Sequence, residues 1–593
     1  MATLRKTRII CTLGPTASSL EQITALVRAG MNIARFNFSH GDHAEHLGRL
    51  QTVRAASAET GIPVATMLDT KGPEIRTGTL RGDEEIRLIP GERIVLTADE
   101  VEGTAERLSI SYKELPNEVK VGGHIFLADG LMDLEVESVE GGDIHCVIHS
   151  GGLLGSRKNV NVPGVRTSLP AMTAKDEHDI RFAIENDMDF IAASFIRRAD
   201  DIRLIREFVQ SFESPIRLLA KIEDEEGLDN VDEIVRAADG VMVARGDLGV
   251  QLEVEEIPMA QKRIIENCNR ENKPVITATQ MLDSMIQNPN PTRAELTDVA
   301  NAIFDGTDAV MLSGETANGA YPVRSAEMLS RIALAVERSE EYRKRCAEYF
   351  AFHSPSHDIG HSIAKAAYVV ASEISAAAIV TPSMRGNSPR IMSKFRPMQN
   401  IIAVTTSERV CRQLLITWGV YPILTGYVRD SELMIQNALR MALKHGFVQR
   451  LDRVVTAAGI PVNSPLMLNT IKVHFMGNIL NRGQEGFGKV CSGRVVKLSG
   501  AQQAVTKLAG AETPQVLLIQ RLTRAYLPVL ANVRGVISEG PVEVDEHEIL
   551  AVNPALVVVS EVPEAYEQFE DGSFVSLNGE EKIVYEGLLP EDE

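Results

Sequence analysis

Short apolar runs recur through the first half of the chain, and each is followed by a stretch with helical periodicity. The runs are "TRIICTL" (7–13), "MNIARFNFSH" (31–40), "PVATMLDT" (63–70), "DFIAASF" (189–195), "PIRLLAKIE" (215–223), "GVMVARGDL" (240–248), "PVITATQM" (274–281) and "DAVMLSGE" (308–315). Near-continuous apolar character predicts strands buried on both faces, as in a parallel sheet. Between them lie amphipathic segments such as "SLEQITALVRAG" (19–30) and "NVDEIVRAADG" (230–240), each closing on a glycine, a common helix stop. Strand and helix alternating eight times predict a closed (β/α)8 TIM barrel, an α/β fold.

One interval breaks the rhythm. Residues 71–188 are far more than one crossover needs, and the interior is rich in Val, Ile, Gly and turn signals, as in "VGGHIFLADGLMDLEVESVEGGDIHCVIHSGG". The pattern predicts a small β domain, barrel-like, inserted at 73–160, with 1–72 and 161–342 forming the TIM barrel. An insertion at the C-terminal rim of such a barrel is placed to act as a lid. From 343 to 477, "AAAIVTPSMRGNSPRIMSKFRP", "NIIAVTTS" and "DRVVTAAG" alternate with helical stretches and predict a separate α/β domain. "LNRGQEGFGKV" (480–490) reads as a connector, and residues 486–593 as a β-rich tail domain.

Composition narrows the function classes. The chain has 593 residues, too many for one core, and a formal net charge of −20, which argues against general affinity for nucleic acid or anionic membrane. The six cysteines contain no CxxC pair, the N-terminus shows no signal peptide and no apolar stretch approaches a membrane span, so a reduced, cytoplasmic protein is expected.

Chemistry in such a barrel sits at the C-terminal strand ends. Six of the eight runs end in groups able to bind or react: Arg35, Asn37, Ser39 and His40; Asp69, Thr70 and Lys71; Lys221 and Glu223; Arg245, Gly246 and Asp247; Thr279 and Gln280; Ser313 and Glu315. One polar strand end is an ordinary solvated rim; six in one ring are not. Alternation puts Lys221 and Glu223 on one face. They form either a structural ion pair or, with Asp247 from the next strand, a site where two carboxylates hold Mg2+ beside a mobile cation suited to a phosphoryl group or an enolate. "ARGDLG" (244–249) is either a tight turn or the start of a short helix whose free N–H groups suit an anion. Asn37, Ser39, Asp69 and Thr70 offer only oxygen ligands, fit either for bracing loops or for a hard cation.

"CTLGPTA", "ARFNFSHG", "LDTKGPEIRTG", "KIEDEEG", "VARGDLGV", "TATQMLDSM" and "PTRAELTDVANAIFDGTDAVMLSGETANGAYP" together resemble the pyruvate kinase family, over nearly the whole barrel and on through 343–477. The resemblance implies transfer of a phosphoryl group from phosphoenolpyruvate to ADP, giving pyruvate and ATP. By motif position, Lys221 would contact the phosphoryl group and the enolate. Glu223 and Asp247 would bind Mg2+ (or Mn2+). The Gly246 and Asp247 amides and the Thr279 hydroxyl would hold the substrate carboxylate, and Arg35 its phosphate. Thr279, Ser313 and Glu315 would lie near the path of the proton to the enolate carbon. His40, Arg76 and Lys158 would contact the nucleotide. Asn37, Ser39, Asp69 and Thr70 match the K+ ligands. Glu74 stands where K+-independent members carry Lys, which implies K+ dependence.

The resemblance extends to regulation. "TPSMRGNSPRIMSKFRP" is similar to the family's sugar-phosphate effector loop, with Ser383, Arg385, Asn387 and Ser388 as phosphate partners, and a homotetramer is expected. The tail resembles the phosphohistidine swivelling domain found at the C-terminus of some bacterial pyruvate kinases. "SEGPVEVDEHEIL" lacks the reactive histidine pattern, and Glu546 and Glu548 flank His547. Two rival functions are a Mg2+-dependent aldolase or lyase acting on pyruvate-like substrates, and a catalytically silent regulatory protein that binds sugar phosphates.

Overall fold

The structure is a computed structural model that describes residues 4–350, 358–449, 452–461, 468–476, 478–508 and 515–587. The chain divides into two compact units, residues 1–345 with 415–418, and residues 346–414 with 419–593.

The first unit is built on a closed ring of eight parallel strands: β1 (Arg8–Thr12), β2 (Ile33–Asn37), β3 (Ala65–Asp69), β4 (Phe190–Ala193), β5 (Arg217–Ile222), β6 (Gly240–Ala244), β7 (Val275–Ala278) and β8 (Ala309–Leu312), with β8 pairing back onto β1. Every apolar run predicted to be a strand contributes one. Nearly all their residues are buried, because the ring interior covers one face and the helices the other. Ile10, Ile33, Met67, Leu219, Met242 and Met311 fill the interior, joined by Leu415 and Ile416 from much later in the chain.

The first crossover helix, Leu20–Ala29, starts where the Ser19 side chain accepts the Gln22 amide and stops at Gly30, whose φ of 114° is open only to glycine. The second glycine signal fails. The helix Val231–Ala237 ends at Ala238, and Gly240 is instead the first residue of β6. A Cβ on Gly240 would lie 2.8 Å from both Leu219 Cδ2 and the Pro274 carbonyl oxygen, so it is close packing between strands that requires glycine there.

Between β3 and β4 the chain forms a six-stranded sheet and a separate two-stranded ribbon, Ile86–Leu88 with Gly152–Leu154. They share a core of their own that includes Ile94, Leu96, Leu127, Leu134, Ile144 and Ile148.

In the second unit, Ala378–Pro382, Asn400–Thr405, Val420–Leu424 and Arg453–Ala458 pair in parallel, and Thr470–Phe475 adds an antiparallel edge. An eight-stranded mixed sheet follows, from Asn478 to Glu586. The stretch read as a connector is not one. Asn478–Arg482 and Glu485–Phe487 are the two outermost strands of that sheet, pairing with Ile583–Glu586 and Val557–Ser560. Its glycines, which suggested a linker, are sites of tight packing: a Cβ at Gly486 would come within 2.7 Å of the Val558 and Gly579 carbonyls.

Candidate active site

The strand ends converge as the pattern requires. Lys221, at the end of β5, is 8% exposed, and its Nζ lies 3.0 Å from Asp69 Oδ1, 2.9 Å from Glu223 Oε1 and 2.6 Å from Ser194 Oγ. Asp69, on β3, is shared: its other oxygen accepts Arg35 Nε at 2.6 Å, and Arg35 Nη1 donates to Thr12 Oγ1 at 2.8 Å. Burial works against the Lys221 ammonium, but Asp69, Glu223 and Asp247 outweigh it and hold its pKa above the ordinary lysine value. Burial works against the Asp69 carboxylate as well, and there Arg35 and Lys221 prevail and lower the pKa. Glu223 moves the other way. It is buried, its second oxygen accepts the Phe195 amide at 2.5 Å, and burial together with the negative charge of Asp247 raises its proton affinity despite Lys221.

Asp247 lies in the first turn of the helix Arg245–Gln251, directly after β6. The orientation of that helix is fixed by Arg245, which binds Asp298 through Nη1 at 2.7 and 2.8 Å, the Thr279 carbonyl at 2.7 Å and the Ala278 carbonyl at 3.2 Å. Thr279 and Gln280, after β7, have φ values of 62° and 52°. A β-branched residue in the left-handed region is strained, and such strain concentrates at functional sites. The bend turns Thr279 Oγ1 to accept the Gly246 amide at 2.7 Å while donating to the Ala278 carbonyl at 2.7 Å. Two groups assigned to the substrate carboxylate therefore bond to each other.

After β8, Glu315 accepts the Ser313 amide at 2.7 Å and the Leu282 amide at 3.0 Å. Burial raises its pKa against those two bonds. Glu315 is thus a brace between the β7 and β8 loops. The Ser313 hydroxyl oxygen is buried and has no hydrogen-bond partner.

Asn37 and Asp69 are in register on adjacent strands, and Thr70 follows directly. The Asn37 side-chain oxygen accepts the Ser39 amide at 3.1 Å, and Thr70 Oγ1 accepts the Ser194 amide at 3.0 Å. The four oxygen-bearing residues named for a monovalent cation are together, although Asp69 also serves two protein cations. His40 and Lys158 are exposed. Arg76 is tied to Glu74 at 2.6 Å, with Lys71 at 3.8 Å from the same carboxylate, so Glu74 is not a free anion.

In the second unit, Ser383 Oγ accepts the Gly386 amide at 3.1 Å, ahead of the helix Asn387–Ser393. Arg385 is exposed, whereas Ser388 is buried. His547 is exposed, and its amide is capped by Asp545 at 2.8 Å.

Sequence reasoning missed Ser194. It accepts Lys221 and donates to the Thr70 carbonyl at 2.7 Å, so it links the lysine to the oxygen cluster. A lone serine one residue before the end of an apolar run carries no signal that a one-dimensional reading can weigh.

The comparisons with known proteins agree with this geometry. Family models described as "Pyruvate kinase, barrel domain" and "Pyruvate kinase, alpha/beta domain" match residues 4–326 and 361–474. A pyruvate kinase of Geobacillus stearothermophilus is 43% identical over 590 residues, covering 98% of this chain and 99% of that protein. One of Sporosarcina psychrophila is 42% identical over 588 residues, with the same shares covered. The crystal structure of a pyruvate kinase from Cryptosporidium parvum superimposes with a TM-score of 0.76 at 40% identity, covering 80% of this chain and 96% of that one. With the strand-end constellation in place and relatives matched along almost their whole length, this chain belongs to the pyruvate kinase family.

Proposed function

We infer that the chain transfers the phosphoryl group of phosphoenolpyruvate to ADP, giving pyruvate and ATP, as a glycolytic phosphotransferase. One observation carries the reading: a buried ammonium, Lys221, held between Asp69 and Glu223 and acted on by Asp247, at the rim of a closed parallel ring. Neither an aldolase nor a silent regulator finds support among the relatives.

In the reaction an oxygen of the ADP β-phosphate attacks phosphorus, the bond from phosphorus to the enol oxygen breaks, and the enolate takes a proton at carbon. Lys221 is placed to offset charge on the transferring group and then on the enolate oxygen, where a preorganised cation in a dry site acts most strongly. Arg35 orients the phosphate. The Gly246 and Asp247 amides and Thr279 Oγ1 receive the carboxylate once the Gly246–Thr279 bond opens. Thr279, Ser313 and Glu315 border the proton's path.

Glu223 and Asp247 fit Mg2+, or Mn2+ in its place. Two neighbouring acids with one raised proton affinity form a pair that wants another cation. Among the described residues no group of three or more His, Cys, Asp or Glu side chains forms a complete cage, as suits an ion that keeps waters and takes substrate oxygens. When bound, the ion supplies Lewis-acid polarisation. Asn37, Ser39, Asp69 and Thr70 would hold K+. His40, Arg76 and Lys158 would bind the nucleotide, with Arg76 moving from Glu74 to phosphate.

We assign 1–72 and 161–342 to catalysis, 73–160 to the lid, 343–477 to a sugar-phosphate effector bound through Ser383, Arg385, Asn387 and Ser388, and 486–593 to a structural or regulatory role. The inward-facing Ser388 makes its backbone the better donor. A homotetramer in the cytoplasm fits the family. No described helix is long and apolar enough to cross a membrane.

The test is a lactate-dehydrogenase-coupled assay with phosphoenolpyruvate, ADP and Mg2+, with and without K+. Turnover that needs both ions is expected, and no turnover with both present overturns the reading. Glu74→Lys should reduce the K+ requirement.

A further inference from the structure

The turn that leaves β2 carries Ser39 and His40, and its two ends are held in different ways. At the near end the Phe38 amide donates to the Asp69 carbonyl at 3.0 Å, and the Phe38 carbonyl accepts Lys175 Nζ at 2.9 Å. Inside the turn the His40 amide reaches the Asn37 carbonyl at 3.3 Å, a long bond. The far end rests on His46, whose Nε2 donates to the His40 carbonyl at 2.9 Å.

His46 is delivered by a rigid element. It stands near the start of the helix His43–Thr60, which Asp42 caps by accepting the Glu45 amide at 2.9 Å and which buries Leu50, Val53 and Ala56 on the same side. The imidazole is 2% exposed, stacks on the Phe38 ring at 4.0 Å and meets the edge of Phe36 at 6.3 Å. Burial lowers its pKa below the ordinary histidine value, so near neutrality the ring carries one N–H. A carbonyl can only accept, which places that proton on Nε2 and leaves Nδ1 bare. Nδ1 is indeed buried without a partner. A leucine would fill the same apolar space against Phe36 and Phe38 and avoid that unsatisfied nitrogen. What the imidazole adds is a single donor, aimed at the main chain of His40.

We propose that His46 is a positioning residue for the nucleotide and the monovalent cation. Its Nε2–H fixes the His40 carbonyl, and with it the course of the chain through Ser39, so that both side chains meet their ligands on a turn already ordered. The inference rests on the phosphotransferase reading and on the roles given there to Ser39 and His40. Groups for phosphoenolpyruvate are held elsewhere: Arg35 by Asp69 and Thr12, Lys221 by Asp69, Glu223 and Ser194.

The experiment compares the full-length parent with His46→Leu, which keeps the packing and loses the donor, and His46→Gln, whose amide nitrogen can restore it. Each is assayed for kcat, KM for ADP, KM for phosphoenolpyruvate and half-saturating K+, with calorimetry to show that it folds. His46→Leu should raise KM for ADP and half-saturating K+ roughly tenfold, the scale of one lost hydrogen bond, with KM for phosphoenolpyruvate and kcat within about threefold of the parent. His46→Gln should recover most of that loss. The proposal is overturned if His46→Leu leaves both ADP and K+ within about twofold of the parent, if KM for phosphoenolpyruvate rises as much as KM for ADP, or if His46→Gln does no better than His46→Leu. Should His46→Leu not fold, His46→Asn, whose amide stops short of the carbonyl, takes its place against His46→Gln under the same criteria. An active parent with unchanged variants sinks this inference alone, whereas a parent without turnover sinks the phosphotransferase reading with it.

Discussion

Replacing Lys221 by Met separates structural from chemical roles at the site. The substitution keeps the length of the side chain and removes its charge from three partners, Asp69, Glu223 and Ser194. Breaking a buried ion pair costs about 3–5 kcal/mol when the remaining charge is stranded. Here neither acid is fully stranded. Asp69 keeps Arg35 at 2.6 Å, and Glu223, whose proton affinity is already raised, can take up a proton. The expected loss of stability is therefore about 1–3 kcal/mol, a fall of a few degrees in Tm, smaller still with Mg2+ bound. The chemical step loses a cation preorganised against developing negative charge in a dry site, worth about 4–5.5 kcal/mol, so kcat should fall roughly 10^3- to 10^4-fold. The coupled assay gives kcat and KM, and calorimetry with and without Mg2+ gives Tm. A folded variant whose kcat stays within about tenfold of the parent would refute the role given to Lys221. A variant that does not fold would refute the claim that Arg35 and protonation support the two acids.

Three further outcomes are expected. Thr279→Ala should lower kcat about 100-fold, the scale of one lost preorganised donor, whereas Thr279→Ser should stay within about tenfold, because it keeps the hydroxyl that holds the Gly246 amide. Asp179→Ala removes a buried carboxylate that holds His43 at 2.7 Å and Lys175 at 2.6 Å; Lys175 also donates to the Phe38 carbonyl at 2.9 Å. The loop carrying Ser39 and His40 should loosen, raising the half-saturating K+ and ADP more than it lowers kcat. At the foot of the ring, burial opposes the Asp239 carboxylate, but Arg206, the Leu218 amide and Arg217 outweigh it and depress its pKa below 3.8. Its contribution to stability is therefore complete above the unfolded pKa and disappears as pH falls through the folded one. Profiles of Tm against pH for the parent and Asp239→Asn should run parallel near neutrality and converge below about pH 4.

The barrel was legible because burial on both faces leaves an apolar run that periodicity detects without knowing the partners. Lys221 and Glu223 were legible for a related reason: desolvation makes a charged pair at the end of a buried strand costly unless it pairs or binds something. What could not be read depends on contacts far apart in sequence. Ser194 touches Lys221 across 27 positions. Gly240 resembled a helix stop and is a packing glycine, because local chemistry cannot tell a left-handed turn from a close approach of strands. The strands at 478–482 and 485–487 passed for a connector, being short, polar and stabilised by pairing at the edges of a sheet. The left-handed Thr279 left no trace in the sequence, since a β-branched residue is the last that propensity would place there.

The contribution of Leu415 and Ile416 to the ring interior has a consequence for biosynthesis. The eighth strand ends at Leu312, so all the hydrogen-bonded staves are made about a hundred residues before their floor. Arg8 clasps the Thr417 carbonyl at 2.9 Å and Asp308 receives the Trp418 amide at 3.3 Å, so first-made and late-made segments are stitched together at the base. A nascent chain paused after the eighth strand carries an open-bottomed vessel with an oily hole, and cutting a catalytic fragment at 345 would make that state permanent. The enzyme's oldest piece is finished only when a much younger one arrives.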